Sequence, residues 1–347
     1  RDRLAHALMY FSRGNPVVYY GDEQGFTGGT RGDQDARQTL FASQVPDYLD
    51  DDLLGTDRTH ASDNYDTSHP LYRSIARLAE LTRRYPALRD GAHQNRYAAD
   101  GAGIYAFSRV YRTARREYVV ALNNARTEQT AKVPTYARSG PITGFKKIFG
   151  DGAGYLPVSA GGALSVTVPP LSAVVYEALA PIPVDRKAPR IDLRPVTPSA
   201  ATPSRLQVAA DVAGSGFYEV SFEARVLAEP GPPGPHAGPV QGGPGEPHRG
   251  GWLPIGTDDT APYRVFHDVS ALDAGTQVEY RAVVLGLDGH TRHAKARKAT
   301  VPPPSLTVEA PAEGAKVRDA VTLRAVADPE RATHVVSFER SVAGGPW

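Results

Sequence analysis

Hydrophobic residues at the start of the chain recur at the spacing of one helix face: Leu4, Ala7, Leu8 and Phe11. This period predicts a helix over residues 2–13. Gly14 is expected to end it, since glycine readily adopts the left-handed conformation that follows many helices. The next apolar run, PVVYY at residues 16–20, is short, β-branched and aromatic. Such a run is typical of a strand that is covered on both faces.

A polar segment of roughly 45 residues follows, rich in Asp, Gly and Thr, and loops of this length usually carry function. A second helix is predicted over residues 70–84, where apolar residues again share one face: Leu71, Ile75, Leu78 and Leu81. The order helix, buried strand, long loop and helix is typical of α/β architecture. In that architecture, loops that follow parallel strands carry ligand sites.

The pattern changes near Gly91 to short segments with the composition of strands. Between residues 103 and 179, five segments predict one antiparallel β-domain: IYAFSRVY, EYVVALNNA, FKKIFG, ALSVTV and SAVVYEAL. A Pro-rich linker is predicted over residues 182–190. Regularly spaced strand segments beyond it predict an immunoglobulin-like β-sandwich over residues 191–301: RLQVAADV, YEVSFEARVL, YRVFHDV and QVEYRAVVLGLDG.

The sandwich sequence is partly repeated. The segment EVSFEARVLAE…GGW near Val220 recurs as VVSFERSVAGGPW near Val336, so residues 302–347 are predicted to be a truncated second sandwich. The first copy contains a tract at residues 230–251 that is rich in Pro and Gly and that the second copy lacks. The tract has few apolar side chains to bury, so we expect disorder there. A ligand for a Pro-binding domain is the less favoured interpretation.

Composition excludes several classes of function. The 347 residues exceed one ordinary domain, and a net charge of +1 gives no field that would favour nucleic acid or a membrane. Because the chain contains no cysteine, disulfides, thiolate metal sites and cysteine nucleophiles are excluded. Both ends lie within the pattern of a helix or a strand, so we expect the chain to be a piece of a larger protein.

Three segments resemble the α-amylase family of glycoside hydrolases (family 13 type). The family has a pattern Gly-x-Pro, four residues, Gly-x-Glu on its last barrel strand, and here it is complete: Gly14, Pro16, Gly21 and Glu23. The segment GDQDARQTLF resembles a family segment with an Asp four residues before an Arg, here Asp33 and Arg37. HPLYRSIARLAELTRRYPALRDG resembles the final barrel helix that leads into a β-rich domain. The resemblance covers residues 2 to 180.

The resemblance implies a multidomain fold. Residues 1–90 are expected to be the last strand and helices of a TIM (β/α)8 barrel, and residues 91–181 an antiparallel β-rich C domain. The immunoglobulin-like sandwich and the truncated second sandwich would then follow as all-β accessory domains.

The resemblance also implies a function for the parent protein, which is retaining hydrolysis of α-glucosidic bonds in starch-like glucans. Such a reaction needs two carboxyl groups about 5–5.5 Å apart, and in this family they lie on earlier barrel strands. We therefore expect no catalytic residue in this chain and no activity from it alone, and Asp22, Glu23, Asp33 and Asp35 are not assigned to those roles. The expected partner is an α-glucan polysaccharide or oligosaccharide, and the expected location is extracellular, in a bacterium.

Four residues are candidates for substrate binding. Asp33 and Arg37 can accept and donate hydrogen bonds to sugar hydroxyls, and Tyr20 offers a flat apolar ring with a polar tip. Without the resemblance, Asp33 and Arg37 are better interpreted as an i,i+4 ion pair on a short helix. Glu23 is interpreted equally well as a structural carboxylate or as a direct sugar contact.

No cofactor is expected, although calcium is a candidate for the parent enzyme. An acidic run could bind that ion but is better interpreted as a solvated turn: Asp47, Asp50, Asp51 and Asp52. Trp252 and Trp347 are interpreted as sugar-stacking platforms or, with more weight, as structural aromatics.

The alternative function is a non-catalytic carbohydrate-binding or spacer module. Within the family, the sequence does not separate an α-amylase from a debranching pullulanase, a cyclomaltodextrinase or a glucosyltransferase.

Overall fold

The computed structural model describes residues 1–29, 32–33, 35–137, 143–184, 189–214, 216–227, 251–316, 320–329 and 335–341. The chain divides into two compact units, residues 1–184 and 185–347. Trp347 and nearly all of the Pro/Gly tract predicted to be disordered lie outside the described residues. Among the described helices, none is long and apolar enough to cross a membrane.

The helices of the first unit are α1 (Asp2–Phe11), α2 (Pro46–Leu49), α3 (Pro70–Arg84) and α4 (Ala87–Asp90), with a 3₁₀ turn at Asp22–Gln24. Helix α3 confirms the predicted span. It begins with Pro70 at its first position, and His69 Nδ1 accepts a hydrogen bond from the Leu71 amide at 3.2 Å. Its buried residues are the predicted apolar positions Leu71, Leu78 and Leu81, whereas Ile75 is half-buried.

Helix α1 is shorter than predicted. It ends at Phe11, and Ser12 after it has an extended backbone with φ −74° and ψ 174°. Gly14, with φ +118°, therefore lies beyond the helix and does not terminate it. The helix buries Ala7 and Phe11, whereas Leu8, which the pattern placed on the same face, remains 44% exposed.

The prediction of a buried strand at residues 16–20 is wrong. The segment forms no strand, and Val17 is 77% exposed. Strand geometry is stabilised by a neighbouring ladder of hydrogen bonds. In the described part of the chain no strand pairs with this segment. Its β-branched and aromatic composition alone therefore does not make it a strand.

The β-strands of the first unit are β1 (Ala92–Ala98), β2 (Ile104–Tyr111), β3 (Arg116–Asn123), β4 (Gln129–Pro134), β5 (Gly144–Phe149), β6 (Tyr155–Pro157), β7 (Ala163–Val168) and β8 (Ser172–Ala178). Six of them form an antiparallel sheet in the order β1-β2-β3-β8-β5-β6, and β4 pairs with β7. All five strands predicted in this region are confirmed. Strands β1, β4 and β6 were not predicted.

The six-stranded sheet is covered on both faces. On one face, Phe107, Val120 and Val175 pack with residues of α1, α3 and α4, including Phe11 and Leu78. The other face packs against the apolar side chains of β4 and β7. Residues from the region predicted to be barrel and from the region predicted to be C domain therefore share one hydrophobic core.

A buried ion pair stabilises the β1–β2–β3 part of this sheet. Glu117 is 1% exposed and accepts three hydrogen bonds, from Ser108 Oγ at 2.6 Å, Arg96 Nη2 at 2.9 Å and the Tyr136 amide at 2.8 Å. The Arg96 guanidinium also lies 4.3 Å from the centroid of the Tyr136 ring. The buried carboxylate thus has its charge and its lone pairs satisfied.

The strands of the second unit are β9 (Arg190–Leu193), β10 (Thr197–Pro198), β11 (Arg205–Ala213), β12 (Tyr218–Val226), β13 (Leu253–Asp258), β14 (Tyr263–Asp268), β15 (Gln277–Gly286), β16 (Thr291–His293), β17 (Arg297–Thr300), β18 (Ser305–Ala310) and β19 (Arg324–Asp328). One sheet contains β9, β10, β11 and β14. A second sheet contains β13, β12, β15, β16 and β17. The four predicted strands β11, β12, β14 and β15 are confirmed.

The two sheets of the second unit share one core. Leu206 and Val208 of β11 belong to the same buried cluster as Phe222 of β12 and Tyr280 of β15. In β12 and β15, buried and half-buried residues alternate along the strand. The period of two therefore separates a core face from an outer face. Whether this sandwich is of the immunoglobulin type stays a prediction.

The predicted second repeat forms a hairpin of β18 and β19. Its later strand pattern is not borne out in the described residues, because residues 335–341 form no strand and Val335 is 91% exposed. No partner strand lies beside this segment in the part of the chain that the structure describes.

Candidate functional site

The motif residues Gly14, Pro16, Gly21 and Glu23 lie in an extended segment that leads into a tight turn. Gly21 and Gly25 flank the 3₁₀ turn with φ +95° and φ +76°, a backbone conformation that glycine adopts without strain. A Cβ at Gly25 would lie 2.2 Å from the Leu54 carbonyl oxygen. The Leu54 amide donates to the Gly25 carbonyl at 2.8 Å. The turn is therefore in close backbone contact with a distant part of the long loop.

A buried glutamine holds this turn to the start of α3. The side chain of Gln24 donates to the Asp66 carbonyl at 3.2 Å and accepts from the Asp66 amide at 3.0 Å. Gln24 is 3% exposed. Its side-chain amide bonds to both backbone groups of Asp66, as the backbone of a neighbouring strand would. No sequence signal singles out Gln24, because one glutamine in a polar loop carries no distinguishing pattern.

Glu23 makes a local contact. Its Oε2 accepts a hydrogen bond from the Gly21 amide at 3.0 Å, and the residue is half-buried. This contact fits the interpretation of Glu23 as a structural carboxylate. Its direct contact with a sugar stays a prediction.

Asp33 and Arg37 form the predicted ion pair. Arg37 Nη2 lies 2.8 Å from Asp33 Oδ2, with 62% of the arginine side chain and 75% of the aspartate side chain exposed. Helix does not extend over the described residues of this segment, so the expectation of a short helix is wrong. Polar groups of both side chains therefore remain open to a ligand in solvent.

Tyr20 lies close enough to Arg37 for the arginine charge to act on its phenol. Partial removal of the phenol from water and then the neighbouring Tyr19 raise the pKa of Tyr20, and the charge of Arg37 acts in the opposite direction. The rings of Tyr19 and Tyr20 have their centroids 4.7 Å apart and are 49% and 42% exposed. We call Tyr19, Tyr20, Asp33 and Arg37 the Tyr20–Arg37 surface. It combines flat apolar rings with one cation and one anion.

Buried polar residues of the long loop include Gln38 and His60, and Gln38 directly follows Arg37 in sequence. Gln38 is 1% exposed and donates to Asp51 Oδ2, while His60 is completely buried. The His60 ring meets that of Phe26 edge-on at 4.5 Å, and burial lowers the pKa of His60. Burial therefore favours the neutral form of this histidine. Neither Gln38 nor His60 was predicted to have a role.

The described side chains of the acidic run make separate local contacts. Asp51 accepts a hydrogen bond from Gln38, and Asp47 lies in the first turn of the short helix α2. Within the described residues, no group of three or more His, Asp or Glu side chains could hold a metal ion. A calcium ion elsewhere in the parent protein stays a prediction.

The relatives found by sequence comparison include two proteins named as amylases. The chain is 48% identical over 292 residues to an "Alpha-amylase" of Streptomyces lividans, an alignment that covers 84% of the chain and 29% of that protein. It is 26% identical over 134 residues to a "Beta/alpha-amylase" of Paenibacillus polymyxa, covering 39% of the chain and 9% of that protein. The chain thus spans less than a third of either relative. No protein-family model matches it.

Similar solved structures include a debranching enzyme of Nostoc punctiforme, with a TM-score of 0.36 and 24% identity over 50% of this chain and 30% of that one. Another is the gamma-CGTase of an alkalophilic Bacillus clarkii, with a TM-score of 0.35 and 13% identity over 87% of this chain and 49% of that one. These scores are too low to establish a common overall fold.

Proposed function

Since this chain is related to the α-amylase family of glycoside hydrolases, we propose that it is part of a retaining, secreted glycosidase that hydrolyses α-glucosidic bonds in starch-like glucans. The observation that carries the proposal is the 48% identity to an α-amylase over 84% of the chain. The proposed contribution of this chain is substrate binding at the Tyr20–Arg37 surface.

The chemistry of that surface suits a sugar. An aromatic ring offers an apolar face to the C–H groups of a pyranose, while the carboxylate of Asp33 accepts and the guanidinium of Arg37 donates hydrogen bonds to hydroxyls. An exposed ion pair is worth only about 0–1 kcal/mol. Asp33 and Arg37 can therefore exchange part of their mutual contact for sugar hydroxyls at little cost.

The rigid support of the surface favours binding. The turn next to Tyr20 is fixed by the backbone contact of Gly25 with Leu54 and by the side chain of Gln24. Gln38, next to Arg37, is buried and bonded to Asp51. The backbone is thus anchored close behind Tyr20, at Gln24 and Gly25, and directly behind Arg37, at Gln38. Two anchor points that are fixed in advance reduce the entropy lost on binding.

No carboxylate of this chain is proposed as catalytic. Glu23 bonds to the Gly21 amide and Asp33 pairs with Arg37. In the proposed reaction, the nucleophile and the acid/base, about 5–5.5 Å apart, come from another part of the complete protein. We accordingly expect the 347 residues alone to release no reducing sugar from soluble starch above a heat-inactivated control.

The test compares two arginine variants of the complete protein. Arg37→Ala is expected to lower kcat/KM on maltooligosaccharides by roughly 10- to 150-fold, the equivalent of one charge-assisted hydrogen bond of about 1.5–3 kcal/mol. Arg194→Ala is the matched control. It removes another exposed ion pair, the one with Asp211 in the second unit. If both variants have the same kcat/KM on every chain length, the substrate role of Arg37 is wrong.

Product analysis on amylose, pullulan and cyclodextrins then identifies the type of enzyme. Release of maltooligosaccharides from amylose indicates an α-amylase, and cleavage at the α-1,6 bonds of pullulan a debranching enzyme. Opening of cyclodextrins indicates a cyclomaltodextrinase, and transfer products a glucosyltransferase.

A further inference from the structure

Trp252 lies outside the core of the second unit. It is half-buried, it immediately precedes β13, and it is absent from the buried cluster that the two sheets share. Instead, the indole contacts two guanidinium groups. The central carbons of Arg225 and Arg281 lie 4.6 and 4.4 Å from its centroid. The structure therefore does not place Trp252 in the core.

The two arginines belong to a square of alternating charges on the outer face of the sheet. In the β12–β15 ladder, Glu223 is opposite Arg281 and Arg225 is opposite Glu279. Each opposite pair is also bonded. Arg281 Nε donates to Glu223 Oε2, and Arg225 Nη2 lies 2.6 Å from Glu279 Oε2. The two arginines thus occupy one diagonal, and Trp252 contacts both of them.

This arrangement selects a neutral ligand. Two cations and two anions cancel, so the square itself offers no net charge to attract an anion or a cation. An arginine has five N–H donors and a carboxylate about four acceptor sites, more than the cross-strand bonds use. With 34% and 30% of the two arginine side chains exposed, donors and acceptors remain accessible beside the indole.

Sugar hydroxyls are neutral groups that both donate and accept hydrogen bonds, so they suit donors and acceptors placed next to an aromatic ring. We propose that the outer face of β13, β12 and β15 around Trp252 binds a neutral oligosaccharide, which stacks against the indole and bonds through its hydroxyls to the charged square. This site is independent of the proposed substrate surface in the first unit. It would bind glucan even if the Tyr20–Arg37 surface did not.

Intrinsic fluorescence can test the site in the whole chain. The sequence contains two tryptophans, so Trp347→Phe leaves Trp252 as the sole indole. Titration with maltoheptaose or cellohexaose is expected to change its emission saturably, and the two sugars distinguish α- from β-linked glucan. Polygalacturonate, an anionic polymer, should cause no change. No response to either neutral sugar, or a response to the anionic polymer alone, overturns the proposal.

Substitutions then locate the binding by calorimetry. Trp252→Ala is expected to raise the dissociation constant about tenfold or more, as for a tryptophan at the centre of a binding site, and Trp252→Phe should restore part of the affinity. Phe266→Ala is the matched control, since Phe266 is an aromatic of β14 in the other sheet and is 42% exposed. Equal affinity of Trp252→Ala and Phe266→Ala would refute the proposal.

Two further variants separate this site from folding and from the first unit. If Trp252→Ala fails to fold by circular dichroism, Arg281→Gln with Trp252 intact provides the second test, and unchanged affinity in that variant overturns the site. Arg37→Ala should leave the fluorescence titration of Trp252 unchanged. Loss of the signal in Arg37→Ala would assign the binding to the first unit instead.

Discussion

Neutralising Glu117 is expected to destabilise the first unit severely. In Glu117→Gln the side chain keeps its shape, but the Arg96 guanidinium, only 13% exposed, loses its charge partner. The NH2 group of the glutamine also replaces one of the two carboxylate oxygens. It then faces either the Ser108 hydroxyl or the Tyr136 backbone amide, both of which donate to Glu117. Breaking a buried pair from one side costs about 3–5 kcal/mol. That is a large part of the roughly 5–15 kcal/mol that stabilises a typical domain.

The loss can be measured by hydrogen exchange with mass spectrometry. Both tryptophans lie in the second unit, so indole fluorescence would not report on unfolding of the first. Amides of β3 near Val119 should lose the corresponding protection, while those of β15 in the second unit keep theirs. The matched control is Asp90→Asn, which removes an exposed pair with Arg89 in the same unit and should cost no more than about 1 kcal/mol.

A double-mutant cycle with Arg96→Met isolates the interaction. The double variant should be less destabilised than the sum of the single variants, with a coupling of about 1–3 kcal/mol. If Glu117→Gln costs no more than Asp90→Asn, the buried charge is not stabilised as we describe, and the reasoning is refuted.

Three further predictions concern single elements. Gly25→Ala should cost about 1–3 kcal/mol because its φ is +76° and its Cβ would meet the Leu54 oxygen. Gly101→Ala, with no positive φ and nothing within 4 Å of its Cβ, should cost less, and equal urea midpoints would contradict this. Burial, with a smaller contribution from Arg109, lowers the pKa of His93 from 6.5 to about 4. The unfolded state then binds more protons than the folded state between these two pH values. Unfolding free energy should therefore fall as the pH falls through this range, and His93→Phe should flatten that slope in urea titrations. Amides of residues 17–20 should exchange far faster than those near Val119, and long-lived protection in a monomer would show that this segment is paired after all.

Strands were predictable where one face is buried. In β12 and β15 the alternation of apolar and polar residues matches the two faces of the sheet, so the pattern was enough. Strand β13 was missed because LPIGTD combines a proline and a glycine, which weaken the signal of an edge strand. The segment at residues 16–20 had the composition of a strand. A ladder, however, depends on a partner that no local pattern specifies.

The candidate site was predictable only in part. The spacing of Asp33 and Arg37 indicated their contact, which the structure shows. Gln24, Gln38 and His60 were missed because polar residues in a loop are usually solvated. Their burial depends on contacts far along the chain, such as that of Gln24 with Asp66, and a sequence pattern does not report such distances.

The sheet that is covered on both faces has a consequence for how such proteins can recombine. A crossover at residue 90 would separate α1 and α3 from the sheet and leave Phe107, Val120 and Val175 facing water. An exchange of the β-rich region alone would therefore produce an insoluble hybrid unless the incoming helices matched those side chains. A crossover near Val184, where the first compact unit ends, transfers helices and sheet together. Evolutionary shuffling and protein engineering should both favour that junction.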